Sequence, residues 1–158
     1  MPKPDRVLNS DTLHTAVEQF RSENKKIIFT NGCFDLLHIG HVTYLEEAKK
    51  LGDILIVGIN TDDSVKKLKG PSRPIQNEND RCRILAALKA VDHTILFSEE
   101  TPLNLIKSIK PDVLVKGGDW KTEQIIGSDF VISNGGMVKS LGFVGNKSTT
   151  AIIEKSKS

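Results

Sequence analysis

Two histidines stand three residues apart in the stretch Thr30-Asn31-Gly32-Cys33-Phe34-Asp35-Leu36-Leu37-His38-Ile39-Gly40-His41. At a helix start, residues three apart share one face, so both imidazoles can meet one ligand. Gly32 and Gly40 let a ligand approach the backbone closely. Free N–H groups and a positive dipole end make a helix N-terminus a phosphate site. Zinc fits less well, because the zincin pair is four apart with a Glu after the first His. The other histidines, His14 and His93, lie in no ligand-like cluster. A basic set follows: Lys69, Arg73 and Arg81. These are either solvated charges or phosphate ligands, and Arg81 could equally pair with Asp80 or Glu78. Lys116-Gly117-Gly118-Asp119-Trp120 offers two glycines beside which a flat base could lie. Asp119 suits ribose or base, and Trp120 suits either that site or the core. Ser148-Thr149-Thr150 could cap a helix or bind phosphate oxygens. The preceding Gly142-Phe143-Val144-Gly145-Asn146-Lys147-Ser148 is no P-loop, since Asn146 and Leu141 stand where that motif needs Gly.

These groups fall at the junctions of an alternating pattern. Residues 1–10 read as a loose lead-in, and Asn9-Ser10-Asp11 starts a helix carrying Leu13, Val17 and Phe20. Lys26 to Thr30, Ile54 to Ile59, Val91 to Phe97 and Val113 to Val115 read as buried strands. Helices are expected at Val42 to Leu51, stopped by Gly52, at Asp62 to Leu68, around Ile84 to Leu88, and from Thr101-Pro102 to Pro111. Asp129 to Ser133 and Met137 to Phe143 read as two short strands, and Ser148 to Lys155 as a terminal helix. Strands apolar on both faces, alternating with helices, predict a doubly wound parallel α/β sheet. Ligands in such folds sit beyond the carboxyl ends of the strands, just where the motifs above are found.

Composition agrees with a single soluble domain. The chain has 158 residues, 38% hydrophobic and 27% charged, which excludes a disordered polyelectrolyte. Its net charge of +2 is too small for a dedicated nucleic-acid binder. No apolar run reaches the ~18 residues of a membrane span, and the N-terminus lacks a signal-peptide core. Cys33 and Cys82 suggest no disulfide framework, so a reduced, cytoplasmic setting is expected. Cys33 reads as a small packed residue, and Phe20, Phe34 and Phe97 as core.

The His38-Ile39-Gly40-His41 stretch resembles the signature of a nucleotidyltransferase superfamily. That superfamily includes cytidylyltransferases, pantetheine-phosphate adenylyltransferases and class I aminoacyl-tRNA synthetases. The stretches Thr61 to Pro74, Asp80-Arg81, Pro111 to Trp120 and Ser148 to Ile153 resemble one branch of it, the D-glycero-β-D-manno-heptose 1-phosphate adenylyltransferases, in a stand-alone form. The resemblance covers about residues 25–155. It implies a Rossmann-like nucleotidyltransferase domain over 25–158, after a lead-in and helix at 1–24. Related cytidylyltransferases carry Arg-Thr-Glu-Gly-Ile-Ser-Thr-Thr where this chain has Phe143 to Thr150, with Phe143 at the Arg and Lys147 at the Ile. That departure favours ATP over CTP.

The resemblance implies transfer of AMP from ATP to a heptose 1-phosphate, giving ADP-heptose and pyrophosphate for lipopolysaccharide core synthesis. Other readings are a cytidylyltransferase for another small phosphate, or a nucleotide sensor without turnover. His38, His41 and Lys69 are the expected catalytic groups. Asn31, Gly32, Cys33, Phe34, Gly40, His41, Lys116, Gly118, Asp119, Ser148, Thr149 and Thr150 are the expected nucleotide contacts. Asp35, Arg73 and Arg81 are the expected contacts to the second substrate. Mg2+ would ride on the phosphates and need no protein ligand. The expected partners are ATP and the sugar 1-phosphate, with no nucleic acid or membrane, and a homodimer is compatible.

Overall fold

A computed structural model describes residues 5–142 and 149–157. The elements in chain order are β1 (Val7–Leu8), α1 (Ser10–Ser22), β2 (Ile27–Gly32), α2 (Ile39–Lys49), β3 (Ile54–Asn60), α3 (Asp62–Lys69) and α4 (Glu78–Ala86). β4 (His93–Phe97), α5 (Leu103–Ile109), β5 (Val113–Gly117), a 3-10 turn (Thr122–Gln124), α6 (Ser128–Ser133), β6 (Met137–Leu141) and α7 (Thr149–Ser156) follow. The six strands form one sheet in the order β1-β4-β3-β2-β5-β6. Every pairing is parallel.

The sheet is buried on both faces because successive side chains point to opposite sides. Ile27 and Phe29 join one core cluster with Leu13, Val17 and Phe20 of α1 and Ile106 and Ile109 of α5. Ile28 joins the other, with Tyr44, Leu45 and Ala48 of α2 and Cys82 and Leu85 of α4. Helix α1 therefore shares the core of the strands that follow it. From β2 the chain winds to β3 and β4, then crosses back to β5 and β6 on the far side. The loops after β2 and β5 diverge at that switch point, leaving a crevice between them.

Three expectations are corrected. The lead-in is not wholly loose, because β1 pairs with β4 at the sheet edge. The Arg6 side chain secures it, donating to the carbonyls of Ala86 (2.5 Å) and Val91 (2.6 Å). Residues 129–133 form the helix α6 rather than a strand. Gly127, at φ 89°, turns the chain into it, and Val131 is buried against the core. A short apolar run fits a strand or a helix equally, so its partners decide. Pro102 also stands just before the helix it was expected to open, as the N-cap of α5.

Candidate active site

The β2–α2 junction is built by its own residues. Thr30 and Tyr44 share a buried hydroxyl–hydroxyl bond of 2.6 Å that ties the strand to the helix. Burial pushes the Tyr44 phenol up to about 12, so it stays neutral. A Cβ on Gly32 would meet the Phe34 ring at 2.9 Å, so this strand end must be glycine or the ring must move. Phe34 itself is buried at φ 49° and stacks obliquely on His41, with ring centroids 5.3 Å apart.

Both histidines cap α2. The Gly40 N–H donates to His38 Nδ1 (3.1 Å), and the His38 N–H donates to His41 Nδ1 (3.4 Å). This is a capping box made of imidazoles. An accepting Nδ1 places the proton of a neutral ring on Nε2. The rings stack with centroids 3.9 Å apart and planes 24° apart. Burial, and then the nearby charge of His38, lower the His41 pKa to about 4. His41 is thus neutral at neutral pH, with Nε2–H left as a hydrogen-bond donor. Oriented N–H donors at a helix N-terminus suit an oxygen that is gaining charge.

The basic residues divide into three kinds. Lys69 is exposed at the end of α3 and lines the cleft beside the histidines. Arg73 also lines it, with Nε donating to Asp35 Oδ2 at 2.7 Å. Arg81 lies elsewhere: it is fully buried behind the cleft. It donates to the carbonyls of Cys33 (2.7 Å), Asn60 (2.8 Å) and Gln76 (3.0 Å), and to Asp62 Oδ1 (2.8 Å). The expectation that Arg81 contacts substrate is therefore corrected: its guanidinium joins the ends of β2 and β3 to α3. Its acidic partner is Asp62, not Asp80 or Glu78. Asp35, by contrast, lines the cleft. Its carboxylate is buried and accepts from Arg73 and from the N–H groups of Ile75 and Gln76, each 2.9 Å away. Burial opposes its charge, but these donors outweigh it and hold the pKa below the usual range. Asp35 positions the loop that carries Arg73.

Lys116, at the end of β5, faces the cleft from the other side, and burial lowers its pKa. Its Nζ lies 5.8 Å from the Trp120 ring centroid. Trp120 is 48% exposed, so it is not a core aromatic. Gly118 and Asp119 stand outside the cleft wall. Asn31, Gly32 and Cys33 line it; Gly40 is buried at the start of α2. The Cys33 thiol is pushed up by burial despite the cations Lys69, Arg81 and Arg73, and so carries no thiolate for attack. Thr149 and Thr150 reach the cleft at the start of α7. The Thr149 hydroxyl donates to the Leu36 carbonyl (2.7 Å), docking α7 on the loop before α2. Ser148 lies outside the described residues.

The cleft so formed has a volume of about 680 Å³ and lies along the carboxyl edge of the sheet. It also includes Phe97, Glu100, Thr101 and Ile126, which the sequence motifs do not mark. The signal for Phe97 to Thr101 was positional only: they follow a predicted strand at its carboxyl end.

Comparison with known proteins places this geometry. A family model described as cytidylyltransferase-like matches residues 29–154. The bifunctional protein HldE of Pseudomonas fluorescens is 57% identical over 149 residues, 94% of this chain and 31% of that protein. HldE of Citrifermentans bemidjiense is 51% identical over 150 residues, 95% of this chain and again 31% of the relative. The chain thus spans under a third of the length of these relatives. The crystal structure of a lipopolysaccharide core biosynthesis protein from Thermoplasma volcanium aligns with TM-score 0.61 and 30% identity, covering 78% of this chain and 99% of that one. A pantoate-β-alanine ligase from Francisella tularensis aligns with TM-score 0.61 at 15% identity, over 96% of this chain and 76% of the other, a likeness of fold alone. The matched region runs from the strand that carries the histidine-capped helix to the terminal helix across the cleft, and on that ground the chain belongs to the cytidylyltransferase-like family.

Proposed function

We propose that this chain transfers AMP from ATP to the phosphate of a heptose 1-phosphate, forming ADP-heptose and pyrophosphate. The observation that carries the reading is the histidine capping box, which sets both imidazoles in the wall of a cleft also lined by Lys69, Arg73 and Lys116. Supporting it are the sequence resemblance to the heptose branch, the likeness to the HldE proteins, and the neighbour named for lipopolysaccharide core biosynthesis.

In this reading a phosphate oxygen of the sugar phosphate attacks the α-phosphorus of ATP. A bond forms between that oxygen and the α-phosphorus, and the bond to the β-phosphate oxygen breaks. Pyrophosphate leaves with the electron pair. The second pKa of a phosphate monoester is about 6, so the nucleophile is already a dianion and needs no general base. The work left to the protein is alignment and charge stabilisation. His38 and His41 donate to α-phosphate oxygens. Lys69 neutralises the departing pyrophosphate, with the start of α7 near it. Arg73, held by Asp35, meets the sugar phosphate. Lys116 and the β2 end, including Cys33 and Phe34, flank the nucleotide. Gly118 and Asp119, which follow β5, and Ser148, which precedes α7 in sequence, complete the nucleotide contacts in this reading. Mg2+ enters as part of the nucleotide substrate, held by phosphate oxygens and water.

Both substrates are cytoplasmic small molecules in this reading, and a homodimer is compatible with it. No helix among the described residues is long and apolar enough to cross a membrane. The test is pyrophosphate release with four nucleoside triphosphates against several sugar 1-phosphates. The expected result is highest kcat/KM for ATP with heptose 1-phosphate. Preference for CTP would remove the adenylyl assignment, and ATP binding without turnover would leave a sensor.

A further inference from the structure

The loop between β4 and α5 brings one carboxylate, Glu100, to the cleft wall, with Thr101 beside it. A carboxylate repels phosphate, so it is out of place in a cleft meant wholly for polyanions. The other cleft carboxylate, Asp35, is neutralised by Arg73 and two backbone donors. Glu100 is exposed and has no hydrogen bond or ion pair among the described residues. The Thr101 oxygen accepts from the Leu103 N–H at 3.5 Å, which leaves its own hydrogen available to a ligand.

Strand order separates Glu100 from the phosphate machinery. Parallel strands lie ~4.8 Å apart, so a loop two strands away is roughly 10 Å distant. β4 stands two places from β2, whose loop carries the histidines, and three from β5, which carries Lys116. That spacing is about the reach of one sugar and its side chain beyond a phosphorus held at the histidines. The same end of the cleft has apolar walls from Leu68, Phe97 and Pro102. An acceptor-only carboxylate, a hydroxyl and an apolar wall suit a ring with vicinal hydroxyls and C–H faces.

We propose that Glu100, with Thr101, binds the hydroxyl groups of the sugar and sets the preference for polyhydroxylated phosphate monoesters. This rests on the reading that a sugar 1-phosphate is the second substrate. Sugar O–H groups donate to the carboxylate, and such charge-assisted bonds are strong. A neutral amide keeps the shape and loses the charge.

The test compares wild type, Glu100→Gln and Glu100→Ala in pyrophosphate release with ATP. The acceptors are heptose 1-phosphate and ethyl phosphate, which has no hydroxyls. Glu100 is exposed, so both variants should melt with the wild type. KM for heptose 1-phosphate should rise roughly 10–100-fold, as for loss of a hydrogen bond to a charged group. Preference for it over ethyl phosphate should fall by the same factor, while ATP affinity by calorimetry stays within about twofold. An unchanged or lowered KM for heptose 1-phosphate would overturn the proposal. So would a raised Mg2+ requirement with unchanged KM, which would make Glu100 a metal ligand. Wild type without turnover on any sugar phosphate would overturn the underlying reading, and this inference with it.

Discussion

The β2–α2 junction and the span from α3 to α4 both bring motif residues to the same cleft, but by different means. At the junction, His38 and His41 are held by bonds within four residues of each other, to Gly40 N–H and His38 N–H. The caps use Nδ1 of each ring, and in His41 that leaves the Nε2–H facing outward. In the α3–α4 span, the three cations singled out in the sequence follow one strand, yet they meet different fates. Lys69 stays at the cleft, Arg73 is shared with Asp35, and Arg81 is wholly internal. A side chain fixed by local caps keeps its role wherever the helix goes. A long charged side chain is assigned only by the carbonyls and carboxylates that the fold brings near it.

Four measurements would break or sharpen that contrast. The largest effect is expected at Arg81. Arg81→Ala leaves two carbonyls from different strand ends and the Asp62 carboxylate without their donor. It should cost about 3–5 kcal/mol in urea unfolding, as for half of a buried ion pair. A variant as stable as wild type, with weakened substrate binding, would return Arg81 to the cleft.

Next is His41. His41→Ala should lower kcat by ~10²–10³, as for a lost preorganised oxyanion donor. ATP affinity should change much less, because the contact strengthens in the transition state. His38→Ala should act alike, with the double variant short of the product of the two. Normal kcat in both single variants would reduce the pair to an ordinary cap.

A smaller effect is expected where α7 docks. Thr149→Val removes the bond to the Leu36 carbonyl and should cost about 0.5–1.5 kcal/mol. Amide exchange in α7 should quicken, and Thr149→Ser should restore it. Unchanged exchange with slowed turnover would instead make the hydroxyl a direct phosphate donor.

The smallest is the titration of His41. Its folded pKa, about 4, lies below the unfolded value of about 6.5. The unfolded chain therefore binds more protons between these values. The His41 contribution to stability is complete above about pH 6.5 and is lost as pH falls toward 4. Nitrogen NMR should show the neutral Nε2–H form unchanged from pH 8 to about 6. A midpoint near the unperturbed value would contradict the burial of the ring in the stacked pair.

Much of this was legible in residue order. The apolar runs at Ile27 and Ile54 carry strand and burial together, because a two-sided parallel strand needs no alternation. Asn9 marked the start of α1, where its side chain accepts from Asp11 and Thr12 N–H. The histidine pair was legible because its geometry is set within one helical turn. β1 was not: two residues carry no periodicity, and their pairing depends on β4, some 87 positions away. Nor was α6, a six-residue stretch in which the apolar run Phe130-Val131-Ile132 became helical, with Val131 in the core cluster of Ile106 and Leu114. Glu100 was missed because a lone glutamate in a polar loop has no spacing to read.

The sequence by itself determined the alternation of strands and helices, the self-capped histidine pair and the carboxyl-edge location of the chemistry. Each depends on periodicity or on contacts a few residues apart. Tertiary structure decided the rest: the crossing from β4 back to β5, the burial of Arg81, the pairing of Asp35 with Arg73, and the arrival of Glu100 at one end of the cleft. These depend on residues tens of positions apart. A charge declares its type in the sequence, but its partners and its exposure are set only when distant strand ends meet.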